Sequence, residues 1–177
     1  HVGITYAFDG TCPACQAHEP YYCENFNQIN VGGVATDGTT RLHQDGHDVS
    51  MFFGQSSFAT YSVANAASVC KVEDDVDLGI VAPLGCGVQT GAGAMINVAH
   101  VDETSAVAVF GCGAVGMSAI MGAAVAGAKV IIAVGGNPKS LALARELGAT
   151  HTINSKEVDD VPAAVHKICP AGVDATV

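Results

Sequence analysis

The stretch Gly111-Cys-Gly-Ala-Val-Gly116 constrains this chain more than any other, because of what flanks it. Ser105–Phe110 is an apolar β-type run, Met117–Gly127 reads as a helix, and Lys129–Val134 reads as a second strand. Strand, glycine turn, helix and strand in that order is the setting a dinucleotide-binding fingerprint requires. Gly111 permits the tight turn, Gly113 lets the backbone approach a pyrophosphate, and Gly116 lets the helix lie close on the strand. Free N–H groups where that helix begins, at Ala114 and Val115, face the phosphate charge.

The alternation continues downstream. Helix 138–147, a short strand at His151–Ile153, a helix near Val158–Ile168 and a strand at Val173–Val177 follow in turn. Strands separated by helices of this length predict a parallel, doubly wound α/β sheet. Residues 1–80 read differently, as short strands (Val2–Ala7, Gly54–Val63, Ala67–Val72) between turn-rich segments. Pro83–Gly93 is a glycine-rich lead into an apolar helix ending near Ala99.

Charge supports the same division. Residues 1–88 hold ten carboxylates against Arg41 and Lys71, whereas 89–177 hold seven against five basic residues. The expected regions are therefore 1–88 and 89–177. A net charge of −10 argues against a nucleic-acid partner, which calls for clustered Lys and Arg. Thr104–Ala128 carries no charge, but its glycines fit turn chemistry better than a membrane span. The chain starts at His1 and its end lies inside an expected strand, so it reads as part of a longer polypeptide.

Three of the seven cysteines crowd into Cys12-Pro-Ala-Cys15-Gln-Ala-His18-Glu-Pro-Tyr-Tyr-Cys23. A CxxC redox pair usually opens a helix in a βαβ unit, and none surrounds this one. Structural zinc wants four tetrahedral ligands. Cys12, Cys15 and Cys23 supply three, and either Asp9 or His18 is chemically able to supply the fourth. Cys86, within Leu84-Gly-Cys-Gly-Val-Gln-Thr90, reads on its own as a small buried thiol. So do Cys70, Cys112 and Cys169. Histidines 1, 43, 47, 100, 151 and 166 show no ligand spacing.

Together these segments resemble the zinc-dependent medium-chain alcohol dehydrogenases, along essentially the whole chain. The family's zinc lobe has the form C-G-x-C-x-x-C-x7-C. Laid on this sequence it puts three cysteines on Cys12, Cys15 and Cys23 and the first on Asp9, which favours Asp9 over His18. Phe53–Val63 looks like the family's G-x-S-x-F-x-x-Y strand, and Ala149–Ser155 matches its nucleotide half. The resemblance makes Cys86 a ligand of the catalytic zinc and Thr90 a neighbour of the nicotinamide. It implies a partial GroES-like domain followed by the first half of a Rossmann domain. The implied cytoplasmic, homo-oligomeric parent enzyme would transfer hydride between NAD(P) and a primary alcohol or aldehyde, aromatic ones included. A non-catalytic, zinc-stabilised nucleotide-binding scaffold is the alternative. With Cys86 the one catalytic-zinc ligand within 1–177, this stretch alone is expected to be inactive.

Cofactor choice is read at the end of the second strand. NAD sites usually carry a carboxylate about 20 residues after the glycines, accepting from the ribose hydroxyls. Here Gly135-Gly136-Asn137 stands in its place, with Lys139, Ser140 and Arg145 close by. The expectation is NADP or dual use, with Asn137 taking the ribose contacts as the rival.

Overall fold

The computed structural model describes residues 1–35 and 37–177. It divides into two compact units, His1–Val81 and Ala82–Val177.

In the first unit, strand β1 (Val2–Ile4) is followed by two short helices, α1 (Pro13–Gln16) and α2 (Phe26–Val31). Strands β2 (Leu42–Gln44) and β3 (His47–Val49) form a hairpin with His43 opposite Asp48, and these two side chains pair at 2.9 Å. Strand β4 (Val69–Lys71) returns antiparallel to β1, Val2 opposite Lys71, and helix α3 (Leu78–Val81) ends the unit. Strand β1 stops before the expected Ala7, because the Ala7 amide donates to the Asn30 side chain rather than to a strand.

The expected strand over Gly54–Val63 does not form. Ser56 has φ +51, which breaks an extended run, and its hydroxyl accepts from the Phe52 amide at 2.8 Å. Phe58 and Tyr61 stand almost wholly in solvent. β-type residues form a strand only where a neighbouring strand takes up their backbone groups.

The second unit opens with helix α4 (Gly87–Gly93), which runs on through a wider turn over Ala94–Val98. Strand β5 (Ala106–Phe110), helix α5 (Ala114–Val125), strand β6 (Val130–Gly135), helix α6 (Pro138–Glu146), strand β7 (His151–Asn154), helix α7 (Val161–Ile168) and strand β8 (Ala175–Thr176) follow in strict alternation. The sheet is parallel, in the order β7-β6-β5-β8. Strands covered on both faces lose the polar alternation of a half-exposed strand, and here period two sorts apolar residues onto two cores. Val107, Val109, Ile131 and Ala133 face Met117, Ile120 and Leu141, while Ala108, Ile132 and Val134 face Ile153, Val165 and Cys169.

Helix α4 lies against α5 at backbone distance. A β-carbon on Gly91 would stand 2.1 Å from the Val115 carbonyl oxygen, and one on Gly122 2.7 Å from Ala92 Cα. This interlock of small residues ties α4 to the sheet, so the chain divides at 81/82 rather than near 88. Among the described residues no single helix is long and apolar enough to cross a membrane, although the bent pair Leu78–Gly85 and Gly87–Val98 reaches that length.

Candidate metal lobe and nucleotide site

The lobe in the first unit is organised by one carboxylate. Asp9 Oδ1 accepts from the amides of Thr11 (2.6 Å) and Cys12 (2.9 Å), and Oδ2 accepts from Asn25 Nδ2 at 2.6 Å. The Cys12 and Thr11 amides, with Asn25 behind them, hold the Asp9 carboxyl far below the usual carboxylate range. Pro13 starts α1, with Cys12 as its N-cap, and the turn continues through Cys15. Farther on, Asn30 is buried and ties α2 to Ala7, accepting from its amide and donating to its carbonyl. Cys12, Cys23 and Ile29 form a small core with Phe8 and Phe26 around it.

The result is a compact donor set. One ligand atom each from Asp9, Cys12, Cys15 and Cys23 lies within 4.8 Å of the others. The backbone amide of Cys15 draws the Cys12 thiol down, whereas burial, followed by the Cys12 side chain, pushes Cys15 up to about 12. A divalent ion would remove that conflict, because a coordinating thiol is deprotonated outright. Three sulfurs and one carboxylate oxygen fit tetrahedral zinc. His18 is exposed, with φ +64, and stands outside the set. Asn25, which orients Asp9, went unread in the sequence, since no spacing rule marks a residue that acts through a ligand.

In the second unit, the sheet reverses its winding at β5: β6 and β7 lie to one side and β8 to the other. Ligands of open α/β sheets bind at the carboxyl ends of strands beside such a reversal, and Gly111 follows β5 directly. Its φ of +96 favours glycine, and its amide donates to Val134 O at 2.8 Å. Gly113 N-caps α5, and Met117 N donates back to its carbonyl at 2.8 Å. A β-carbon at Gly111 or Gly113 would meet nothing within 4 Å, so the turn is an open cradle that fits a pyrophosphate. At Gly116 a β-carbon would strike Gly111 O at 1.8 Å, so that glycine serves packing. The Ala114 and Val115 amides open the helix at the cradle.

Cys86 is exposed at the N-cap of α4, contrary to the reading of its residue type alone as a buried thiol. Thr90 N donates to Cys86 O at 2.9 Å, which puts both exposed side chains one turn apart. Next to Cys86, the β-carbon position of Gly87 lies 3.4 Å from Ala114 Cβ, so the first turn of α4 lies against the start of α5. Cys70 is likewise exposed rather than buried, whereas Cys169 is buried and Cys112 is half-buried, its thiol pushed up by that burial.

At the carboxyl end of β6, Asn137 Oδ1 accepts from Lys139 N at 2.9 Å and caps α6. Among the described residues this leaves the Asn137 amide nitrogen as a free donor. Lys139 is exposed and Ser140 half-buried in the first turn of α6. Arg145 turns away, with Nη2 donating to Thr152 Oγ1 at 2.8 Å, so it leaves the group that sequence proximity suggests. In its stead Lys156, beyond β7, lays its side chain over Gly136. Only the pairing of β6 with β7 reveals that neighbour, 20 positions along the chain.

Fold and site define the class: a nucleotide-binding α/β unit joined in one chain to a metal-competent cysteine lobe. Residues 114–177 match the family described as zinc-binding dehydrogenase. A geraniol dehydrogenase of Castellaniella defragrans is 43% identical over 158 residues, which are 88% of this chain and 42% of that protein. An alcohol dehydrogenase zinc-binding domain protein from Burkholderia ambifaria superposes with a TM-score of 0.93 at 49% identity, over 99% of this chain and 48% of that one. Benzyl alcohol dehydrogenase from Acinetobacter calcoaceticus gives 0.89 at 42% identity, over 99% and 47%. Through residues 114–177 the chain is similar to the zinc-binding dehydrogenases, and its fold matches that of medium-chain alcohol dehydrogenases. It spans about half the length of the relatives it matches.

Proposed function

We propose that the protein is a zinc-dependent alcohol dehydrogenase that interconverts a primary alcohol, aromatic ones included, and its aldehyde with NAD(P). One observation carries this reading: the Cys86–Thr90 turn is locked by α4 onto the fingerprint helix, while a separate four-ligand lobe stands ready for a second metal. When bound, the nicotinamide supplies hydride exchange and a catalytic zinc supplies Lewis acidity toward the substrate oxygen. This chain's residues place those groups. Gly111, Gly113, Ala114 and Val115 would offer backbone and open space to the pyrophosphate, and Gly135, Asn137, Lys139 and Ser140 would border the ribose. Cys86 would offer a thiolate to the catalytic metal, and Thr90, one turn along, would offer a hydroxyl for the nicotinamide. Asp9, Cys12, Cys15 and Cys23 would hold structural zinc without touching substrate.

In this reading the first unit is the latter part of a GroES-like domain and the second the first half of a Rossmann domain. A nicotinamide-dependent reading supports an intracellular compartment such as the cytoplasm. The resemblance supports a homo-oligomer. Turnover of benzyl alcohol and geraniol by the whole protein, followed by nicotinamide absorbance, is the test. Cofactor binding without turnover of any primary alcohol would instead support a non-catalytic scaffold.

A further inference from the structure

We infer that Lys156 reads the adenosine 2′-phosphate of the cofactor, making it the residue that confers affinity for NADP. The inference rests on the nucleotide-binding reading of the β5–α5 turn. Lys156 follows β7, and its position is set by backbone pairing: Ser155 N donates to Gly135 O at 3.0 Å and Lys156 N donates to Asn154 Oδ1 at 3.1 Å. From there the side chain runs across Gly136. A β-carbon on Gly136 would lie 3.4 Å from Lys156 Cγ, 3.4 Å from Cδ and 3.0 Å from Cε, so the missing side chain makes room for the aliphatic stem. The ammonium is thereby carried to the carboxyl end of β6, where the ribose of a dinucleotide lies in folds of this kind.

Its charge is uncommitted. Among the described residues Lys156 makes no ion pair, and the nearby Glu157 carboxylate accepts from Asn154 Nδ2 at 2.6 Å. The groups left at this edge are mostly donors: the Lys156 and Lys139 ammonium ions and the Asn137 amide nitrogen, whose Oδ1 is occupied by Lys139 N, with the Ser140 hydroxyl beside them. Ribose hydroxyls bound by an NAD-type site need an acceptor, and a 2′-phosphate needs donors and positive charge. Gly135 and Gly136 contribute no carboxylate to oppose it.

Isothermal titration of the whole protein with 2′,5′-ADP and with 5′-AMP isolates this contact from turnover. Wild type should bind 2′,5′-ADP about tenfold more tightly than 5′-AMP, about 1.4 kcal/mol. Lys156→Gln should remove that difference while leaving 5′-AMP unchanged, and Lys156→Arg should keep most of it. Equal binding of both nucleotides by wild type, or a difference that survives Lys156→Gln, would overturn the inference and leave the nucleotide site intact. Binding of neither would overturn the site reading and the inference together.

Discussion

The Cys112 sulfur stands 3.1 Å from where a β-carbon on Gly135 would lie, so the fingerprint turn and the end of β6 touch through a thiol and a missing side chain. Placing a carboxylate at Gly135 should convert this edge into an acceptor for ribose hydroxyls. Gly135→Asp in a Cys112→Ala background is expected to favour NAD over NADP by about tenfold relative to the parent, about 1.4 kcal/mol. Fluorescence titration with both cofactors checks it. Gly135→Asp alone should lower the thermal midpoint, because Cys112 must move, and Cys112→Ala should recover part of that loss.

The contact between α4 and α5 makes a sharper demand. A methyl group on Gly91 would meet the Val115 carbonyl oxygen at 2.1 Å and the Ala119 nitrogen at 2.7 Å, both backbone atoms. Overpacking costs about 1–3 kcal/mol and more where nothing can yield. Gly91→Ala should therefore destabilise the protein by at least that much. Gly93→Ala meets only Asn97 Nδ2 at 3.8 Å and should be neutral or stabilising by up to about 1 kcal/mol through helix propensity. Denaturant melts of the two variants, side by side, decide it. Equal stability would contradict the packing described here.

The cysteine lobe should carry one zinc that is independent of turnover. Cys23→Ser and Asp9→Ala are each expected to lose that metal, as read by elemental analysis, whereas His18→Ala should keep it. Structural zinc contributes about 10–16 kcal/mol of apparent binding energy in small peptides, so its loss should open residues 9–25 to proteolysis. Asn25→Ala, which frees Asp9 to rotate, should weaken zinc about 10–100-fold in competition with a chelator.

Cys86 and the lobe should separate cleanly. Cys86→Ala is expected to lower turnover about hundredfold or more, the scale of losing a Lewis acid worth several kcal/mol. Nucleotide affinity and lobe zinc should remain. Thr90→Ala should reduce kcat while sparing both metals. Turnover unaffected by Cys86→Ala would remove this thiol from the chemistry.

Much of the second unit was legible from local pattern. Strand β5, helix α5, strand β6 and helix α6 lie within three residues of where apolar runs, Gly127 and the Asn137-Pro138 cap put them, because each rule involved acts within one or two turns of chain. The first unit was less legible. Gly54–Val63 has strand-forming residues and no strand, since β-structure depends on a partner strand that sequence proximity does not supply. The exposure of Cys86 and Cys70 could not be read from residue type either.

By itself, then, the sequence determined the kinds of groups present: a glycine cradle, three clustered thiols with a nearby carboxylate, and no acid at the end of β6. Tertiary structure alone decided which of them meet. It closed Asp9, not His18, on the cysteines through amides and Asn25, turned Arg145 toward Thr152, and brought Lys156 over Gly136 by pairing β6 with β7. Spacing along a chain limits distance only over a few residues. Beyond that, packing and strand register select the neighbours.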